Sequence, residues 1–224
     1  MGVRKVTDLH GARVGCAMTG SFCTFASAFS AFEALREAGA ELFPIMSSNA
    51  YALDTRFGSA QEMQGRLQSI CGREIWHTIA QVEPVGPRKL LDLVVVAPCT
   101  GNSLAKLARG VCDTPAVMAV KSHLRNARPV LIAVSTNDGL ARSAANIGAL
   151  LAMKHIYFVP FGQDDWLGKP DSLVSDMRLM TNAAAQALAG RQIQPLLLPA
   201  RPDSTPIEKI SGKSEKTLDK GNGI

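Results

Sequence analysis

The sequence predicts an α/β fold: a three-layer sandwich with a parallel sheet between two layers of helices. Three observations predict it. Short strand-like apolar runs alternate with helical patterns along most of the chain. One of those runs, residues 92–97 (DLVVVA), is apolar on both faces, as a strand covered by helices on two sides must be. The 224 residues, 46% apolar and 19% charged, suffice for one substantial core.

The first strand is residues 13–18 (RVGCAM), and its crossover helix spans 24–38, apolar at Phe25, Phe29, Phe32 and Leu35 and stopped by Gly39. Residues 41–46 (ELFPIM) form the second strand. Pro44 has no N–H for a ladder, so this strand belongs at an edge or ends there. Residues 50–89 are less regular: Ser59 and Glu62 have capping-box spacing for a helix that Gly72 ends, and VEPVGPRK reads as a Pro-Gly loop. After the central strand at 92–97 a short helix spans 103–109. A longer one starts at Thr114, with Pro115 at the first helical position, where a missing N–H costs nothing. The fourth strand is 129–134 (PVLIAV), followed by a small-residue-rich helix at 139–154, a fifth strand at 156–161 and a last helix at 173–189. Residues 1–198 are expected to form one domain. Beyond Pro199 basic and acidic residues alternate without an apolar period, which predicts a disordered polar tail over 199–224.

Composition narrows the function. The longest apolar runs fall far short of the roughly 18 residues of a membrane span, so no membrane association is expected. The first eleven residues are polar and lack the apolar stretch of a secretory signal, which points to the cytoplasm. Cys16, Cys23, Cys71, Cys99 and Cys112 are odd in number and widely spaced, without the clustering of a metal site, and read as reduced thiols. The net charge of +5 comes from scattered Lys and Arg with few aromatics, so no nucleic-acid partner is expected.

In an open parallel sheet, ligands bind beyond the carboxyl ends of the strands. The loops there read TGSFCT (19–24), SSNA (47–50), PCTGN (98–102), STND (135–138) and GQDD (162–165). Each alone could be a helix cap; together they make a rim of hydroxyls, amides and backbone N–H groups suited to a phosphate. The rim lacks the G-x-G-x-x-G of a dinucleotide fold and the end-of-strand acid that would grip a ribose. It also lacks the G-x-x-x-x-G-K-[ST] of an NTPase, so a cofactor such as FMN fits better.

The stretch APCTGNSLAKLARGVCD carries a P-x-x-x-N-x-x-x-K-[LI]-A-x-G-x-x-D pattern through Pro98, Asn102, Lys106, Leu107, Ala108, Gly110 and Asp113. It resembles the flavoprotein family, which includes FMN-dependent cysteine decarboxylases and flavin prenyltransferases. With MTGSFCTF, DTRFG, EPVGP, STND and VPFGQDD, residues 10–198 resemble one branch closely, the dipicolinate synthase B subunits. The resemblance implies a flavodoxin-like or Rossmann-like fold and an FMN site. Gly20, Ser21 and Ser47, with Ser48 as an alternative, would hold the phosphate; Thr100, Gly101 and Asn102 would face the flavin. Ser135, Thr136 and Asn137 replace the family's P-x-M-N loop, with Thr136 in place of its Met.

The branch also implies oxidation of 4-hydroxy-tetrahydrodipicolinate to dipicolinate during spore formation in the mother cell. It implies a separate A subunit carrying NAD(P), a small dicarboxylate substrate and a homo-oligomer. Two other readings stay open: a flavin-fold subunit that stabilises its partner without flavin, and a flavin-dependent decarboxylase or prenyltransferase. The decarboxylases' catalytic His has no counterpart in VEPVGPRKLLDLVVVAP, and His77 reads as a packed or exposed helical residue. Asp164 and Asp165 are the candidate acid/base pair, or else an Asx-turn. Arg88, Lys89 and Lys106 are candidate carboxylate partners, or else solvated surface charge. Cys99 reads as a small buried residue before it reads as a nucleophile.

Overall fold

The computed structural model describes residues 9–199. The predicted tail from 200 onward lies outside the described residues.

Five parallel strands form the centre of the molecule. They are β1 (Arg13–Met18), β2 (Glu41–Met46), β3 (Leu93–Cys99), β4 (Val130–Thr136) and β5 (Ile156–Phe158), in the order β2-β1-β3-β4-β5. This is the flavodoxin-like order, in which the chain reverses direction across the sheet between β1 and β3. All seven residues of β3 are buried, each apolar side chain contributing about 2 kcal/mol by leaving water. Its Pro98 sits where the β3/β4 register shifts between Val96 and Cys99, a bulge that accommodates a residue without an N–H.

The helices divide the core into two layers. On one face, α1 (Phe25–Glu37), α3 (Ala60–Cys71) and α8 (Met180–Leu188) bury Phe25, Phe29, Phe32, Leu35 and Leu67 against the sheet. On the other, α4 (Ile79–Val82), α5 (Gly101–Arg109), α6 (Pro115–Leu124) and α7 (Arg142–Leu151) bury Val82, Leu104, Val120, Ile147 and Leu150. The remaining helix, α2 (Ser48–Ala52), is one short segment leaving β2. The capping box at Ser59 and Glu62 opens α3, and Gly72 closes it at φ +65°.

As Pro44 predicts, β2 is an edge strand, and Trp76 covers that edge. The Trp76 N–H donates to Pro44 O, and the Met46 N–H donates to Trp76 O.

Two C-terminal expectations are corrected. The fifth strand breaks at Pro160: Ile156–Phe158 pairs with β4, and Phe161–Gly162 becomes a separate strand, β6, antiparallel to Leu173–Ser175. The helix expected at 173–189 begins as that strand β7 (Leu173–Ser175), because Leu173 and Val174 find antiparallel partners in Thr136 and Ser135. Helix α8 starts only at Met180. Two boundaries also move. The Thr100 hydroxyl caps α5 by accepting from the Ser103 N–H, so the helix opens at Gly101 rather than 103. Residues 139–141 form a turn ahead of α7.

Candidate functional site

The sheet order brings the ends of β1, β3 and β4 side by side, and hydrogen bonds stitch their loops together. The Thr19 hydroxyl donates to Pro98 O at 2.8 Å and accepts from the Thr100 N–H at 3.0 Å, joining the β1 and β3 exits. The Ser21 and Ser135 hydroxyls lie 2.8 Å apart, and Thr24 Oγ1 lies 3.2 Å from Ser135 Oγ. Strands β1 and β4 are both neighbours of β3, so the Ser21–Ser135 contact carries the β1 loop across the exit of β3.

Ser47 stands at the exit of β2, where its hydroxyl caps α2 by accepting from the Ala50 N–H at 3.4 Å. At α5, the Ser103 and Leu104 N–H groups are taken by Thr100, leaving those of Gly101 and Asn102 as the turn's open donors. Asn102 is exposed and Gly101 half-buried. The glycine is sterically required, since a Cβ there would lie 2.7–2.8 Å from Thr136 Oγ1, Asp138 Oδ1 and Ser143 Oγ. At Gly20 the nearest atom to a Cβ would be 3.6 Å away, so no such constraint applies.

The predicted site residues thus fall into one row along the carboxyl edge: Ser47 and Ser48 after β2, Gly20 and Ser21 after β1, Thr100, Gly101 and Asn102 after β3, and Ser135, Thr136 and Asn137 at β4. The acid/base candidates sit farther along, in the loop between β6 and β7. Asp165 accepts from the Gly168 N–H at 2.8 Å, the turn that its sequence allows. Asp164 accepts from the Ser172 hydroxyl at 2.6 Å and has Lys169 Nζ at 3.9 Å.

Other candidates lie elsewhere. Arg88 and Lys89 are in the loop that enters β3, which is the amino edge of the sheet, opposite the row of loops. Lys106 is held by Asp113 at 2.7 Å, and that ammonium keeps the Asp113 carboxyl below the usual range. Burial drives the Cys99 thiol far above its ordinary pKa, which removes it as a nucleophile at neutral pH.

His77 is not in a helix. It follows Trp76 on the rim of β2 and stacks on Tyr51 of α2, with centroids 4.0 Å apart and planes 4° apart, at the same carboxyl edge as Ser47. Asp138, bonded by Thr136 and Ser143, is a further carboxylate at this edge. The sequence places it within the strand-end loop STND (135–138) but gives it no role of its own, and the approach of α5 sets Gly101 against it.

Comparison with known proteins decides the family. The Flavoprotein family pattern matches residues 3–166. The chain belongs to the flavoprotein family. This flavoprotein is 41% identical over 193 residues to the B subunit of dipicolinate synthase from Bacillus subtilis strain 168, spanning 86% of this chain and 96% of that one. The crystal structure of the dipicolinate synthase B subunit from Bacillus halodurans superposes with a TM-score of 0.80 at 39% identity, covering 87% of this chain and 100% of that chain. An FMN-dependent cysteine decarboxylase superposes with a TM-score of 0.62 at 19% identity over 81% of this chain and 99% of its own, a likeness of fold alone. No helix among the described residues is long and apolar enough to cross a membrane.

Proposed function

We propose that this flavoprotein serves as the B subunit of a dipicolinate synthase, with an A subunit as partner, in the cytoplasm of the mother cell of a sporulating bacterium. The observation that carries this reading is the near end-to-end match to a dipicolinate synthase B subunit. The reaction takes 4-hydroxy-tetrahydrodipicolinate to dipicolinate by loss of one water and of two electrons with two protons. NAD(P) on the A subunit is the final acceptor.

The residues at the carboxyl edge fit FMN. Ser47 supplies a hydroxyl proton for a phosphate, the Ser21–Ser135 pair, which shares one hydrogen bond, supplies at most one more, and Thr24 donates its own to Ser21 O; the first turn of α5 supplies two open N–H groups. In this arrangement Gly20, Ser21 and Ser47, with Ser48, hold the phosphate, while Thr100, Gly101, Asn102, Ser135, Thr136 and Asn137 meet the ring system. FMN, when bound, supplies a two-electron acceptor beside the substrate. Asp164 keeps the acid/base assignment ahead of Asp165, whose carboxylate is spent on its own turn. Assembly as a homo-oligomer completes the site's surroundings.

Two measurements test the proposal. The purified chain should carry, or take up from added FMN, the visible absorbance of an oxidised flavin; a chain that takes up none is a stabilising subunit without cofactor. Dipicolinate formation should require the mixture of this chain and the A subunit, and full activity from this chain alone would defeat the division of labour.

A further inference from the structure

Asp138 stands at the exit of β4, half-buried, and its Oδ1 accepts the hydroxyl protons of Thr136 at 2.5 Å and Ser143 at 2.8 Å. The Thr136 bond holds the carboxyl below its usual range against the opposing pull of burial, with Ser143 adding to it. An ionised carboxylate can only accept hydrogen bonds, and a hydroxyl has one proton to give. Both hydroxyls spend that proton on Asp138, so each can offer only lone pairs to anything else.

Of the two, Ser143 is buried at 2% exposure, whereas Thr136 is half-exposed at the end of its strand. Thr136 is also fixed in place. Its backbone pairs with Leu173, and a Cβ on Gly101 would stand 2.7 Å from its Oγ1, so the hydroxyl abuts the first residue of α5. The wall between the β3 and β4 exits therefore presents a pre-set acceptor with little freedom to rotate into a donor.

We propose that Asp138 is a positioning residue that fixes the Thr136 hydroxyl as an acceptor, making this wall a site for an N–H group on the edge of a planar heterocycle. The proposal rests on the reading that this edge holds FMN and the substrate ring. Either could supply the group: the flavin through its imide N–H, or the partly reduced pyridine ring through its nitrogen in the enamine or protonated iminium form that carries a hydrogen. Asp138→Asn reverses the polarity, because an amide N–H can donate to Thr136 and free its proton to point outward.

The experiment compares FMN with FMN methylated at the imide nitrogen, each titrated by fluorescence quenching against the full chain. If the flavin is the source, Asp138→Asn and Thr136→Val each weaken FMN about tenfold, the loss of one hydrogen bond. The double variant is then no worse than either, Thr136→Ser binds like wild type, and the methylated flavin is indifferent to all of them. If the substrate is the source, flavin binding is unchanged and the KM of the paired enzyme rises about tenfold in Asp138→Asn with kcat retained. Equal weakening of both flavins would assign Asp138 a merely structural role and overturn the proposal, as would no change in either flavin binding or KM. A wild-type chain that binds no flavin defeats the cofactor reading, and the KM comparison then decides this one alone.

Discussion

The two edges of the sheet are built from different chemistry. At the amino edge a cluster of charges around Asp92 is paired within the protein. Asp92, just before β3, takes two bonds from the Arg13 guanidinium at 2.8 and 2.9 Å and one from Arg128 at 3.0 Å. Beside it His123 is fully buried, with Nε2 at 3.0 Å from Pro129 O. At the carboxyl edge the row of predicted residues is uncharged hydroxyls, amides and glycine, with the Asp138 carboxylate held by its neighbours' hydroxyls and open N–H groups at the start of α5. Salt bridges satisfied by their own neighbours hold strand entries together, whereas neutral donors keep their capacity for a ligand. The contrast teaches that the edge proposed for the site is set apart by uncharged polar groups and two open backbone N–H groups, not by the density of charge.

The largest expected effect tests the amino edge as a structural element. Burial lowers the His123 pKa from an ordinary 6.5 to about 4. Between those values the unfolded chain binds a proton that the folded chain refuses. The folded state therefore keeps its full stability above pH 6.5 and loses up to about 3 kcal/mol as pH falls to 4. Denaturant unfolding across that range should show the slope in the wild type and a flattened one in His123→Asn, with flavin binding at pH 7 unchanged. A flavin affinity that tracked the stability loss would break the separation of the edges.

Next in size is Gly101→Ala, where a methyl must enter space held by three oxygens. It should cost about 2 kcal/mol and abolish flavin binding, while Gly20→Ala, with open space, stays within about 0.5 kcal/mol. Thermal unfolding and flavin titration of both variants check the pair. Were Gly20→Ala the more damaging of the two, the close packing of α5 against the β4 loop would not be what shapes this edge.

Smallest is Asp92→Asn. The Arg13 guanidinium holds the Asp92 carboxyl down at about 2, and the side chain is a third exposed, so screening leaves about 1 kcal/mol. Because the folded pKa is depressed, that stability is present above about pH 4 and disappears as pH falls toward 2. Acid titration of unfolding should lose this component in the variant. A variant with the wild-type acid profile would show that Arg13 and Arg128 gain nothing from the pair.

Local pattern determined a good deal of this protein. Strands β1 and β2 fall on their predicted residues because apolar runs bounded by Gly, Pro and polar loops leave few other ways to bury themselves. Pro44 placed β2 at an edge, Ser59 and Glu62 opened α3, and the polar loops fall at the strand ends, the edge proposed for the site. The motif through Asn102 and Gly110 indicated the family to which the chain belongs.

What pattern could not determine was anything that depends on a distant partner. Residues 173–175 carry a helix-like period but become a strand, because β4 and β6 offer them ladders that no local scale can register. Arg88 and Lys89 sit near the central strand in sequence yet enter it from the opposite end of the sheet. His77 reaches the carboxyl edge only because Trp76 pairs along β2, and the Thr136–Asp138 pair faces the β3 exit only because α5 brings Gly101 against it. Sequence by itself determined which segments bury themselves and which loops carry donors. The tertiary structure alone decided which of those donors face one another, since a hydrogen bond between loops far apart in the chain is made by packing and not by neighbouring residues.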